Sequence, residues 1–173
     1  MIWTTHMVTG ATLAQILSAN PLLALIAALF SHYLLDFLPH WDYEMKSQDP
    51  EINQRTNRLI FGPGLGLDAA KILIDLFSGL LIVLGYFYFL EVHLFPSMEI
   101  SWWLIGAGML LSITPDLINI LYGFTGWKVF KPFLIWHNIW HCPPEPKNHK
   151  LNFGLIQQTG LIIILLAVTS VLI

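Results

Sequence analysis

Long apolar runs, interrupted by two polar stretches, set the rhythm of the chain. Ile2 to Ala19 reads as a first helix of moderate apolarity with Gly10 and Gln15 inside it. Asn20-Pro21 breaks it, and Pro21 suits the first turn of the next helix. Pro21 to Leu38 is apolar apart from Ser31, His32 and Asp36, and is long enough to span a bilayer. Pro39 follows near its end, so His40 is expected on a last distorted turn or just beyond it. Trp41 to Gly66 is a polar loop that closes on the turn signal Gly62-Pro63-Gly64. Leu65 or Leu67 to about Leu90 reads as a spanning helix despite Asp68, Lys71 and Asp75 in its first part. After the short loop Glu91 to Glu99, Trp102 to about Tyr122 spans again, with Pro115-Asp116 in its later part. Gly123 to Lys150 is the second polar region, and Lys131 to His141 within it reads as a short interfacial helix rich in Trp and Phe. Leu151 or Phe153 to Ile173 is a last span with Gln157 and Gln158 near its start. The pattern predicts an all-α fold: a polytopic integral membrane helical bundle, one domain over residues 1–173, with about five transmembrane helices plus the interfacial one.

Composition agrees with a membrane setting. The chain is 55% hydrophobic and 11% charged, with mean hydropathy +0.65, against about 25% charged in a soluble domain. A net charge of -3 argues against nucleic acid, which asks for a clear basic excess. A single cysteine, Cys142, excludes an internal disulfide. Met1 to Thr5 has no positively charged stretch, so no cleavable signal peptide is expected. Trp3, Trp41, Trp102, Trp103, Trp136 and Trp140 read most simply as an aromatic belt.

Lysine and arginine set the expected orientation. Lys46, Arg55 and Arg58 lie in the first polar loop, and Lys128, Lys131, Lys147 and Lys150 in the second, whereas Glu91 to Glu99 has none. Both basic regions then belong on the cytoplasmic side, with the N-terminus inside, and a bacterial inner membrane is the expected location. On this topology the polar residues within the spans collect at one end. His6 lies near the cytoplasmic start of the first helix, and His32, Asp36 and His40 at the cytoplasmic end of the second. Asp68, Lys71 and Asp75 fall in the cytoplasmic third of the third span. Asp116 lies roughly 9 Å from the cytoplasmic end of the fourth. His137 and His141 belong to the cytoplasmic interfacial helix, four apart on one face. His93 falls on the opposite side and serves as an internal control. Charges in hydrocarbon must face the bundle interior and find partners, so one polar pocket is expected.

His32, Asp36 and His40 stand four apart in HYLLDFLPHWD, stacked on nearly one helical face with a drift of roughly 40° per step. Two imidazoles and a carboxylate in a row suit a divalent metal, with zinc the expected ion and manganese or iron(II) compatible. The candidate ligands are His6, His32, Asp36, His40, Asp75, Asp116, His137 and His141. They exceed what one ion needs, and two ions about 3.5–4 Å apart bridged by a carboxylate would use them. Asp42 and Asp68 are candidate general bases. Lys71, or the pair Arg55 and Arg58, is placed to bind a phosphate headgroup.

HYLLDFLPH resembles the His-Tyr-x-x-Asp-x-x-x-Pro-x-His signature of zinc-dependent phospholipase C and the related fungal zinc nucleases, helical enzymes with a multinuclear zinc site. That resemblance carries to His32, Asp36 and His40. The whole chain is similar to the bacterial membrane-bound metal-dependent hydrolases of the YdjM-like group, through His6 to Gly10 (HMVTG), the His/Asp motif and Pro115-Asp116. The resemblance implies a hydrolase without naming its substrate. The leading expectation is therefore a membrane-embedded hydrolase that cleaves a lipid-borne ester, most simply a phosphoester, with a metal-activated water. A divalent-cation transporter or metal-binding membrane protein is the alternative, and a non-catalytic scaffold a third. The polar residues stop partway across the membrane, and Gly79 to Leu90 is apolar apart from its tyrosines, which favours a closed cup over a pore.

Overall fold

A computed structural model describes residues 1–42, 45–47, 59, 61–97, 99–141 and 150–173, the side chains of 150–153 excepted. It is all-helical: α1 (Trp3–Ile16), α2 (Pro21–Phe37), α3 (Pro63–Phe89) running on into a π-helical turn (Leu90–Leu94), α4 (Trp102–Thr125), a 3-10 turn (Lys128–Phe130), α5 (Lys131–Trp140) and α6 (Lys150–Leu172). The starts follow the local chemistry. Asn20 caps α2 by accepting the Leu23 N–H at 3.2 Å, with Pro21 in its first turn. Gly126 ends α4 in the left-handed region at φ 65°, where glycine is free of the Cβ penalty.

Among the described residues, three helices are long and apolar enough to cross a membrane: Pro63–Leu94, Trp102–Thr125 and Gly154–Leu172. This is fewer than the five expected. α1 has 14 residues and α2 has 17, or about 21 and 25 Å at 1.5 Å per residue, short of a hydrocarbon core about 30 Å thick. The outer surface is nonetheless apolar. Leu22, Ile74, Leu81, Ile156 and Val171 are all at least 68% exposed, far more contiguous apolar surface than a soluble monomer tolerates.

α1 is the central helix, packed on α2, α3, α4 and α6, and 12 of its 14 residues are buried. It is moderately polar because it faces protein: Thr9 and Thr12 return their hydroxyls to the carbonyls of Thr5 and Thr9. Trp3 joins its core rather than an aromatic belt. The core also takes Met7 and Val8 from α1, Val83 and Phe87 from α3, and Ile105, Met109 and Ile113 from α4. α1 and α4 cross at Gly10 and Gly108, where each glycine abuts the other's backbone carbonyl and a Cβ on Gly10 would also lie 2.6 Å from Ser112 Oγ. Gln15 ties the far end of α1 to the start of α4, donating to the Glu99 carbonyl and accepting from the Ser101 N–H, both at 3.1 Å. Gln158 ties the near end, accepting from Ile2 N–H at 3.1 Å and donating to the Trp41 carbonyl at 2.8 Å. With α1 and α4 antiparallel and α2 folded back along α1, the start of α1, the end of α2 and the later part of α4 share one end of the bundle.

Candidate metal centre

At that end, side chains from four helices converge. His32 and Asp36 project from the last turns of α2, four apart and on one face as their spacing predicts. Asp116 comes from α4, directly after Pro115. His137 comes from α5, which packs across the ends of α2 and α4. His32 Nε2 lies 3.0 Å from Asp36 Oδ2 and 3.7 Å from Asp116 Oδ1. His137 Nε2 lies 3.1 Å from Asp36 Oδ2, 3.3 Å from Asp116 Oδ1 and 3.1 Å from His32 Nε2. All four donor atoms lie within 4.8 Å of one another. A tetrahedral ion with bonds of about 2.0–2.1 Å has ligand–ligand edges of about 3.3 Å, the middle of this range. His32, Asp36 and His137 are buried and Asp116 is 20% exposed, so the cup opens past Asp116.

The tautomer of His32 suits a ligand. Its Nδ1 is 2.7 Å from the Ser112 carbonyl. A carbonyl only accepts, so Nδ1 carries the hydrogen and, in the neutral ring, Nε2 turns a lone pair into the cup. Pro115 loosens the same turn of α4 by removing one backbone donor. His137 holds a proton near pH 7. Burial alone would lower it, but its bonds to Asp116 and Asp36 push it up to about 9.

His6 completes the wall from α1. It is fully buried, stacked on His32 with ring centroids 4.2 Å apart, and its Nε2 is 3.2 Å from Asp36 Oδ1. Neither of its nitrogens makes a well-aligned hydrogen bond among the described residues. A buried imidazole left so is costly unless another partner takes it.

A second donor set adjoins the first and shares Asp36 with it: Asp36, His40 and His141, again within 4.8 Å. His40 lies beyond the end of α2, as Pro39 predicts. Its Nδ1–H donates to the Leu38 carbonyl at 2.7 Å. Burial and the nearby N-terminal amine lower it to about 4, leaving it neutral near pH 7. His141 caps the end of α5, with its ring 4.9 Å from that of His40. The Met1 nitrogen stands between Asp36 Oδ1 at 3.0 Å and Asp42 Oδ2 at 3.6 Å, so Asp42 lies at the rim.

Two carboxylates expected at the site have other tasks. Asp75 accepts the backbone N–H groups of Trp3 at 2.6 Å and Thr4 at 3.0 Å, and the Thr4 hydroxyl at 2.6 Å. α1 has no side-chain cap of its own, since Ile2 stands at that position, and Asp75 supplies one from α3. Asp68 accepts from Ser47 N–H at 2.6 Å and from Lys71 Nζ at 3.0 Å. It clamps the first polar loop to α3, which corrects its expected role as a base in the cup. Asp75 departs likewise from its expected role as a ligand. Arg55 and Arg58 lie outside the described residues, as do Cys142 and His149. His93, the control, is exposed in the π-helical turn against Phe89 and belongs to neither donor set. The Ser112 carbonyl and Gln158 were not anticipated as supports. A backbone acceptor leaves no mark in sequence, whereas a Gln pair at the start of an apolar helix does. In comparisons with protein-family models, curated proteins and solved structures, nothing matches the chain.

Proposed function

We propose that the protein is a membrane-embedded, metal-dependent hydrolase acting on a lipid-borne phosphoester, similar in kind to the YdjM-like hydrolases. The observation that carries the metal is the spacing of His32, Asp36, Asp116 and His137, whose donor atoms lie 3.0–3.7 Å apart wherever a pair distance is given above. On this reading they hold one zinc ion. His40 and His141, together with Asp36, would hold a second, and His6 would be a further ligand beside Asp36. Such ions supply a water of pKa about 7 and polarise a phosphoryl oxygen. The chain's own groups do the rest. Asp42 at the rim is the candidate base to take the water's proton. The Ser112 carbonyl fixes the His32 ring, and the open side at Asp116 admits the headgroup.

The close crossing at Gly10 and Gly108 lies beyond the floor of the cup. It supports a closed pocket over a transport path. The proposal includes all five longer helices crossing the membrane, with the bilayer thinned at the short α1 and α2 and α1 enclosed by the others, and with the cup on the cytoplasmic side of a bacterial inner membrane, as the lysine and arginine distribution argues. α5, with Trp136 and Trp140 partly exposed, would lie at headgroup depth. The test is metal content in detergent alongside hydrolysis of a phospholipid panel. Asp36→Ala and Asp116→Ala should each lose metal and hydrolysis, while His93→Ala keeps both. Equal metal in all three would reject the shared site, and cation flux in liposomes without hydrolysis would favour transport.

A further inference from the structure

Beside the cup, a groove of about 770 Å³ runs between α3 and α6, within the roughly 300–1,000 Å³ of ligand-binding clefts. Its walls are apolar, with Ile74 and Ile82 from α3 and Ile162 from α6. Lys46 and Lys71 line it as well. They are held at one end, because Asp68 accepts both from Lys71 Nζ and from the backbone N–H of Ser47, next to Lys46. Lys46 is exposed. Asp75 also lines the groove, but its carboxylate is taken up by the first N–H groups of α1. From Lys71 to Ile82 is about 16 Å along the helix at 1.5 Å per residue, which is one leaflet of a hydrocarbon core about 30 Å thick. Further along, Tyr86 reaches from α3 to the Leu166 carbonyl of α6.

The groove and the cup share a wall two short segments thick. Ile2 lines the groove while the preceding Met1 nitrogen touches Asp36. Trp41 lines the groove between His40 and Asp42, and packs so closely on Gly154 that a side chain there would clash.

We infer that this groove binds one acyl chain of an anionic membrane phospholipid, with Lys46 and Lys71 on its phosphate. The apolar length selects a lipid over free phosphate, and the cations at one end select an anionic headgroup. That this lipid is also the substrate of the cup rests on the hydrolase reading; the binding does not. Native mass spectrometry of the full chain, titrated with phosphatidylglycerol or phosphatidylcholine, tests it. Wild type should prefer phosphatidylglycerol. At about fivefold per lysine, K46Q/K71Q should bind it roughly twenty-fivefold more weakly, while K128Q/K131Q, with the same charge change elsewhere, should bind as wild type. Ile82→Trp, which fills the groove, should weaken both lipids. Asp36→Ala should lose metal and keep lipid. No headgroup preference in wild type, or equal losses in the two lysine pairs, would reduce the groove to ordinary lipid contact and overturn the proposal. Retained groove binding with no hydrolysis by wild type would instead remove the hydrolase reading and leave the groove standing.

Discussion

Replacing Asp75 by Ala separates a ligand from a cap. The Asp75 carboxylate serves two N–H groups and one hydroxyl at the start of α1. The hydroxyl keeps a second acceptor, the Asp75 backbone carbonyl at 2.9 Å, so its loss is minor. The two amides lose their partner in a half-buried setting. A lost cap costs about 0.5–2 kcal/mol, and each buried donor left unsatisfied about 1–3 kcal/mol. The two estimates describe overlapping losses, so a total of about 2–3 kcal/mol is expected. For a chain of this size, at about 2–4 °C per kcal/mol, thermal unfolding in detergent should fall by roughly 4–12 °C. Asp75→Asn keeps one acceptor oxygen and should fall about half as far. Metal per chain should not change in either variant. Metal loss in Asp75→Ala matching that of Asp36→Ala, with unfolding temperature unmoved, would refute the assignment and return Asp75 to the ligands.

The other expectations are briefer. Gly108→Ala sets a Cβ 2.5 Å from the Gly10 carbonyl and 2.7 Å from Ala14 Cβ. It should destabilise by about 1–3 kcal/mol, whereas Gly106→Ala, with nothing within 4 Å, should be neutral or stabilising by up to about 1 kcal/mol; thermal unfolding of both checks the crossing. His137 sits at about 9, so it must shed a proton to ligate. Apparent metal affinity should rise about tenfold per pH unit between about pH 6 and 8, flattening above about 9, and calorimetry in buffers of different ionisation enthalpy should find about one proton released. A flat affinity over that range would remove His137 from the ligands. His40→Ala/His141→Ala should halve the metal per chain while Asp36→Ala abolishes it; equal losses would mean the two donor sets are one.

Much of the site was legible because helical spacing and the ends of helices are sequence properties. His32 and Asp36 share a face by counting, and Asp116 and His137 join them once the basic loops place their helix ends together. Pro39 marked where α2 stops, which frees His40 to reach His141. Asp75 and Asp68 misled for a physical reason. A carboxylate near a polar pocket is equally useful as a metal ligand and as a cap, and only the third dimension shows that α1 begins against Asp75 with no cap of its own. The helix lengths were legible only in part. Ile2 to Ala19 reads as one continuous helix, but its threonines, Gly10 and Gln15 mark a helix made to be enclosed by others, and it stops at Ile16.

The most direct test of the cup is the X-ray absorption spectrum of the zinc-loaded protein. The expected first shell is nitrogen and oxygen only, at about 2.0–2.1 Å, with the multiple-scattering signature of imidazoles that weakens in His32→Ala and His137→Ala. A shell with sulfur at about 2.3 Å, or one without imidazole scattering, would contradict it.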